Sequence, residues 1–310
     1  MTPRPQLEPA PDGWLAFELS ILRRLKFRTA VNPLAGEPVL DVYLKRWGVG
    51  VSSNDPARWA ATKCLARVEN NTVSLTKDDV AAVLEDAYVP RYRLQNAALG
   101  KWFGETDAWW FDNVRASAER LEDPVKRALA LSLVMSVGDY ALSFDDETRE
   151  LRQPLSKVFT RLWEAAPAPV NNSQTNRSAN KDARDFLAAE RADCLFLRLP
   201  RPTRAGARDS AWAWREEFVR GSEDFWDEFE SARAGRLGAR AETRQQYLRH
   251  VEELLDVAGH IPAWAVAYAE NGFVSTEEVV ESIRRVRKVA TIYTKDFSEL
   301  TGARAAIITA

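Results

Sequence analysis

The chain has 310 residues, 45% of them hydrophobic and eleven of them tryptophan, and its 28% of charged residues leave a formal net charge of only -2. That is enough apolar material for a sizeable core, in one large domain or one domain with an insertion. The near-neutral balance excludes the long-range positive field of a non-specific nucleic-acid binder, so any DNA contact has to come from local basic patches.

Residues 1–12 are rich in proline and read as a loosely ordered lead-in. A helix is predicted over 14–26, with Leu15, Leu19 and Leu22 on one face. A short strand at Ala30-Val31-Asn32 breaks into the turn Pro33-Leu34-Ala35-Gly36, a helix follows through Val39, Val42, Tyr43 and Arg46, and a second strand over 49–53 ends at Asn54-Asp55-Pro56. Strand, turn, helix, strand and acidic residue make the opening of a nucleotide-type α/β sheet. From Asn70 to Trp163 helical periodicity takes over, in segments such as 79–85, 102–121 and 125–142, the last apolar on nearly all faces and so expected to be buried. Residues 71–168 are therefore predicted to be a helical insertion between an N-terminal part, 1–70, and a C-terminal part, 169–310. The polar run from Asn171 to Ser178 is predicted to be an exposed loop returning to the sheet. Strand character resumes over 194–197, 264–268, 289–294 and 305–309. Between these strands, one helix carries Tyr247, Val251, Leu254 and Ala258, and another opens with the capping box Ser275/Glu278. The fold class expected is α/β, a Rossmann-type sheet with helices on both faces and a helical insertion.

Five landmarks fall in one order along this frame. Asn32-Pro33-Leu34-Ala35-Gly36-Glu37-Pro38 follows the first strand, and Asn54-Asp55 ends the second. Asn180-Lys181-Asp182-Ala183-Arg184-Asp185-Phe186-Leu187 opens a helical segment, and Ala192-Asp193-Cys194-Leu195-Phe196-Leu197 leads into Arg198-Leu199-Pro200-Arg201. Last, Trp264-Ala265-Val266-Ala267-Tyr268 runs through Ala269-Glu270-Asn271 to Gly272-Phe273. In this order they resemble the D12-class adenine-N6 DNA methyltransferases, over most of the chain and least over the insertion. The resemblance implies a methyltransferase-like sheet, an S-adenosylmethionine turn containing Asn32, Leu34 and Gly36, a ribose contact at Asp55 and an adenine contact at Asp182. Each residue also has a plainer reading: Gly36 in an ordinary turn, Asp55 and Asp182 as turn or helix-cap residues.

The chemistry departs from the family at two places. Its catalytic Asp-Pro-Pro-Tyr gives the flipped adenine an acceptor for the amine and a ring to stack on. Here those positions hold Arg198, Leu199, Pro200 and Arg201, and arginine only donates, so the hydrogen-bond polarity is reversed. No catalytic residue of the motif is intact. In the cofactor turn Pro38 stands for the second glycine and supplies no N–H, with the anionic Glu37 before it. S-adenosylmethionine binding is expected to be weakened and is left open. Arg198, Arg201, Arg204 and Arg208 recur across the following loop, which suits phosphate contact through Arg201, Arg204 and Arg208. Solvation, or pairing with Glu216, Glu217 and Asp224, is the plainer alternative.

The first expectation is thus a catalytically degenerate relative of adenine-N6 DNA methyltransferases, acting by DNA or protein-partner binding. An active enzyme taking acceptors from Asn171, Asn172 or Asn176 is the second, and a structural or regulatory protein without cofactor the third. Trp102, Trp109 and Trp110 are left as insertion core or a base-stacking surface. Cys64 and Cys194, among apolar neighbours, are expected to be buried free thiols, which points to a reducing cytoplasm. His250 and His260 are the only histidines, and no Cys/His spacing suits a metal. Asp145-Asp146-Glu147 and Glu252-Glu253 read as solvated or capping carboxylates. No signal-peptide core is visible, and no apolar run approaches the roughly 20 residues that cross a bilayer, so no membrane partner is expected.

Overall fold

A computed structural model describes residues 13–145, 147–270, 272–301 and 303–310. The proline-rich lead-in, Asp146 and Asn271 lie outside the described residues. Seven strands form one mixed sheet: β1 (Thr29–Asn32), β2 (Gly50–Asn54), β3 (Arg177–Ala179), β4 (Cys194–Arg198), β5 (Ala263–Glu270), β6 (Thr291–Phe297) and β7 (Ala303–Thr309). Their order is β3-β2-β1-β4-β5-β7-β6. Every neighbouring pair from β3 to β5 is parallel, and β7 runs antiparallel between β5 and β6. Leaving β7 aside, this is the doubly wound 3-2-1-4-5-6 arrangement, so the sheet is compatible with a Rossmann-like fold.

The strands alternate as period-two elements should. Ala30, Val51, Cys194, Phe196, Ala265, Ala267 and Ile307 face one apolar cluster, closed by α1 (Trp14–Leu22) and α2 (Val39–Arg46). Val31, Leu195, Leu197, Trp264, Val266, Tyr268 and Ile308 face the other. That side is closed by α9 (Ala183–Ala189), α12 (Arg244–Val257) and α13 (Thr276–Val286).

A third cluster is all helical. Between β2 and β3 the chain forms α3 (Arg58–Cys64), which continues into a π-helical turn over Leu65–Glu69, then α4 (Lys77–Leu84), α5 (Leu99–Trp102), α6 (Glu105–Ala118), α7 (Pro124–Leu142) and α8 (Leu155–Glu164). Two later helices, α10 (Ala213–Arg220) and α11 (Trp226–Arg233), share this core, while α14 (Ser298–Thr301) links β6 to β7. Local chemistry sets the ends: Thr76 and Asp79 form a capping box on α4, and Asp123 accepts from Val125 N–H before Pro124 opens α7. Gly138 of α7 makes close packing possible, because a Cβ there would lie 2.1 Å from the Trp214 ring.

Several boundaries differ from the sequence reading. The helix expected over 102–121 breaks at Phe103-Gly104, where both residues are extended and the Phe103 ring stacks on Phe111. The helix expected over 14–26 ends at Leu22. The run 171–178 is not loop throughout, since Arg177 and Ser178 pair with β2.

Candidate functional site

β4 and β2 flank β1, so the chain leaves the sheet in opposite directions at the carboxyl ends of β1 and β4. That divergence opens the crevice where ligands of doubly wound sheets bind. The fold brings the turn after β1, Asp55 after β2, Asp182 after β3 and Arg198 to Arg201 after β4 to this one edge.

Most of the polar side chains at the strand ends are engaged inside the protein. Asn54 Nδ2 donates to the Pro33 and Lys181 carbonyls, both at 3.0 Å, and so pins the turns after β1 and β3. Asp55 Oδ2 accepts the Gly36 N–H at 2.9 Å, and Oδ1 accepts that of Ala57 at 2.8 Å. Burial pushes the Asp55 pKa up to about 6, against the pull of those two hydrogen bonds. Gly36 has φ +55°, the left-handed region where glycine is favoured. Asp182 caps α9 through the Arg184 N–H at 2.9 Å, the plainer of its two sequence readings. Leu34 packs against the Tyr247 side of the core. Asn32 is buried and donates to both oxygens of Asp41 at 3.2 Å. Its Oδ1 has no hydrogen-bond partner, the one such atom among the predicted cofactor side chains.

Arg198 does not belong to the loop surface. Its Nε and Nη2 donate to the two oxygens of Glu18 at 2.9 and 2.7 Å, and Glu18, on α1, is completely buried. The bidentate geometry satisfies a carboxylate that would otherwise be stranded in the core. Asp41 completes the group; burial raises its pKa to about 6 despite the Asn32 hydrogen bonds and the Arg198 charge. Leu199 continues the β4–β5 ladder through its N–H to the Ala267 carbonyl and is buried, and the Pro200 carbonyl accepts the Tyr247 hydroxyl at 2.9 Å.

Glu37 is tied down as well. It pairs with Lys63 of α3 and, at 3.3 Å, with Arg215 of α10, whose other nitrogens hold Asp139 of α7 at 2.6 and 3.1 Å. The next two residues of α10 are equally committed. Glu216 accepts the Arg58 and Trp59 N–H groups at the start of α3, and Glu217 accepts the indoles of Trp102 and Trp226. Arg233 of α11 reaches toward the crevice from the other side, in the field of Asp55, Glu216, Asp182 and Glu230. Between Pro56, Asp182, Arg233 and Leu237 there remains a cavity of about 10 Å³, room for about one water.

The basic loop is mixed in character. Arg201, Arg204 and Arg208 are exposed. Arg208 pairs with Glu223 at 2.8 Å, not with Glu216, Glu217 or Asp224. Arg204 lies over the Phe273 ring, 5.8 Å from its centroid. It has no carboxylate partner among the described residues. The sequence reading missed a second exposed segment, Tyr88-Val89-Pro90-Arg91-Tyr92-Arg93. Buried Asn113 donates to the Asp86, Ala87 and Val89 carbonyls, and buried Asp112 accepts the Gln95 and Asn96 N–H groups. Held at both ends, the segment turns Tyr88 and Tyr92 outward, the latter fully exposed. Interleaved Tyr and Arg without helical period is the signal by which it could have been found.

Other candidates resolve more simply. Asn172 and Asn176 sit at the opposite end of the sheet, bonding the Val49 carbonyl and the Val51 N–H, and Asn171 caps its own turn. They cannot supply acceptors at the β4 edge. Trp110 is core, and Trp102 is tied to Glu217, so neither is a stacking surface. Cys64 and Cys194 are buried free thiols, and burial pushes the Cys194 pKa up to about 12. Among the described residues no group of three or more His, Cys, Asp or Glu side chains is placed to hold a metal, and no helix is long and apolar enough to cross a membrane.

The fold and this edge define an α/β protein in which the turns after β1, β2 and β4 carry internally paired charges. No protein-family model matches the chain, and comparison with curated proteins yields no match.

Proposed function

We propose that this chain is a DNA-binding protein on a methyltransferase-like frame that does not transfer methyl groups. The observation that carries the reading is Arg198: at the position where the resemblance expects an acceptor for the adenine amine stands a donor bonded to the buried Glu18. A reaction that needs oriented acceptors loses on the order of a hundredfold or more when one is missing, and the side-chain acceptor is absent here.

The sheet is compatible with that frame, since leaving β7 aside its strands follow the doubly wound order. The side chains that the resemblance gives to S-adenosylmethionine are engaged within the protein, Asp55 by two backbone amides and Asp182 by the α9 cap, and Glu37 in the turn is held by two cations, which weighs against cofactor binding.

DNA contact falls to the exposed Arg201 and Arg204 at the crevice rim and to Tyr88, Arg91, Tyr92 and Arg93 on the helical layer. Arginine forks hold phosphates, and tyrosine rings stack on unpaired bases. Two measurements on the full chain test the proposal. Incubation with labelled S-adenosylmethionine and mixed-sequence DNA should leave the DNA unlabelled; adenine methylation overturns the non-catalytic reading. Gel retardation should weaken in Arg201→Ala/Arg204→Ala and in Tyr92→Ala, and unchanged retardation in both removes the DNA reading.

A further inference from the structure

Away from the crevice, a second cleft of about 280 Å³ lies between α3, the corner joining α6 to α7, and the edge strand β3. Its size is close to the lower end of small-molecule pockets, ~300 Å³. Leu65 and Leu131 give it an apolar floor, Arg58 and Arg127 stand in its walls, and Glu119 is the one carboxylate among its described lining residues.

The charges here are arranged unlike those elsewhere in the protein. Arg198, Arg215 and Arg220 each have a carboxylate oxygen within 2.7 Å. Around this cleft, Arg115 and Arg127 share Glu119 at 3.8 and 3.7 Å, beyond hydrogen-bonding distance, and their guanidinium groups bond only the Val219 and Leu121 carbonyls. Arg115 Nε is buried with no acceptor, and burial together with the nearby Arg58 charge holds the Arg115 pKa down. Arg58 is exposed, and its guanidinium has no ion-pair partner among the described residues. The other nearby carboxylates are engaged elsewhere: Glu69 by the Ser178 N–H and hydroxyl, Glu216 by the Arg58 and Trp59 N–H groups and Arg220, and Asp112 by the Gln95 and Asn96 N–H groups. Three guanidinium groups with no carboxylate within hydrogen-bonding distance among the described residues make a site short of available negative charge.

We propose that this cleft binds a phosphomonoester, its phosphate between Arg58 and Arg127 and its organic part on the Leu65–Leu131 floor. A phosphomonoester is close to a dianion at neutral pH and offers three acceptor oxygens that arginine forks match. The apolar floor favours an ester over inorganic phosphate. Two sources share this chemistry, a free nucleoside monophosphate and the 5′-phosphorylated end of a nucleic-acid strand.

Titration calorimetry of the full chain tests this with AMP, adenosine, and one oligonucleotide in 5′-phosphorylated and 5′-hydroxyl forms. Saturable binding is expected for AMP or for the phosphorylated strand over its hydroxyl form, and which of the two binds identifies the source. Adenosine should not bind. Arg58→Ala, on an exposed side chain, should weaken the phosphorylated ligand by about tenfold or more, the effect of losing a charge-assisted fork. Arg24→Ala, at an exposed position in the turn after α1, should leave binding unchanged. No saturable heat with either phosphorylated probe, equal binding of adenosine and AMP, or wild-type affinity in Arg58→Ala overturns the proposal.

Discussion

Removing the Arg198 guanidinium separates its two assignments, a group that faces substrate and a counterion that belongs to the core. In Arg198→Met the Glu18 carboxylate keeps its completely buried position and loses both charge-assisted hydrogen bonds. Breaking a buried pair from one side typically costs about 3–5 kcal/mol. Because the Arg198 side chain is itself 35% exposed, water shares the loss, and about 3 kcal/mol is expected. At roughly 2 °C per kcal/mol for a chain of this size, the thermal midpoint should fall by about 6 °C. The double variant Glu18→Met/Arg198→Met removes both charges and should recover most of the loss. Urea and thermal denaturation read both effects. A single variant within about 0.5 kcal/mol of wild type, the range of an uninvolved surface change, would refute the counterion argument, as would a double variant no better than the single.

Asp41 gives a pH signature of its own. Its folded pKa of about 6 lies above the unfolded carboxylate value of 3.8, so it favours the folded state most below pH 3.8, and that contribution is lost as pH rises toward 6. Asp41→Asn should flatten the fall in denaturation midpoint across this window, worth up to about 3 kcal/mol, and an unchanged slope would count against the assignment. Gly138→Ala should destabilise by about 1–3 kcal/mol and perturb tryptophan fluorescence, since its Cβ would enter the Trp214 ring; a neutral result would mean that α7 and Trp214 do not pack as described. In the DNA retardation assay, Arg201→Ala/Arg204→Ala should lower the slope of log affinity against log salt by up to about 0.9 for each phosphate no longer neutralised. Arg208→Ala should have a smaller effect than Arg204→Ala, because Arg208 already pairs with Glu223.

Much of the sheet was legible because the strands carry it in short apolar runs. Cys194 to Leu197 and Trp264 to Tyr268 are buried from both sides, and such runs can hardly be read as anything else. β3 escaped notice because three residues, Arg177-Ser178-Ala179, form a partly exposed edge with nothing apolar to repeat. α10 escaped for the opposite reason: it buries Arg215, Glu216 and Glu217 in succession, which contradicts the polar-outside rule on which amphipathic patterns rest. The site was legible only as positions. Gly36, Asp55, Asp182 and Arg198 each follow or end a strand of the parallel run and so share one edge, but their engagements were not visible, because Glu18 lies 180 residues from Arg198 and Gly36 lies 19 from Asp55. A sequence shows which groups can pair, and only the fold decides which do.

Those three consecutive charges on α10 have a mechanical consequence. Side chains about 100° apart around one helix point in three directions, and here they fasten the Gly36-Glu37 turn with α7, the first amides of α3, and the indoles of α5 and α11. A rotation of α10 by one residue would release all of them together. The helical layer and the sheet should therefore open as one cooperative unit, with the amides of α3 and α10 exchanging hydrogen at the same rate as those of β1.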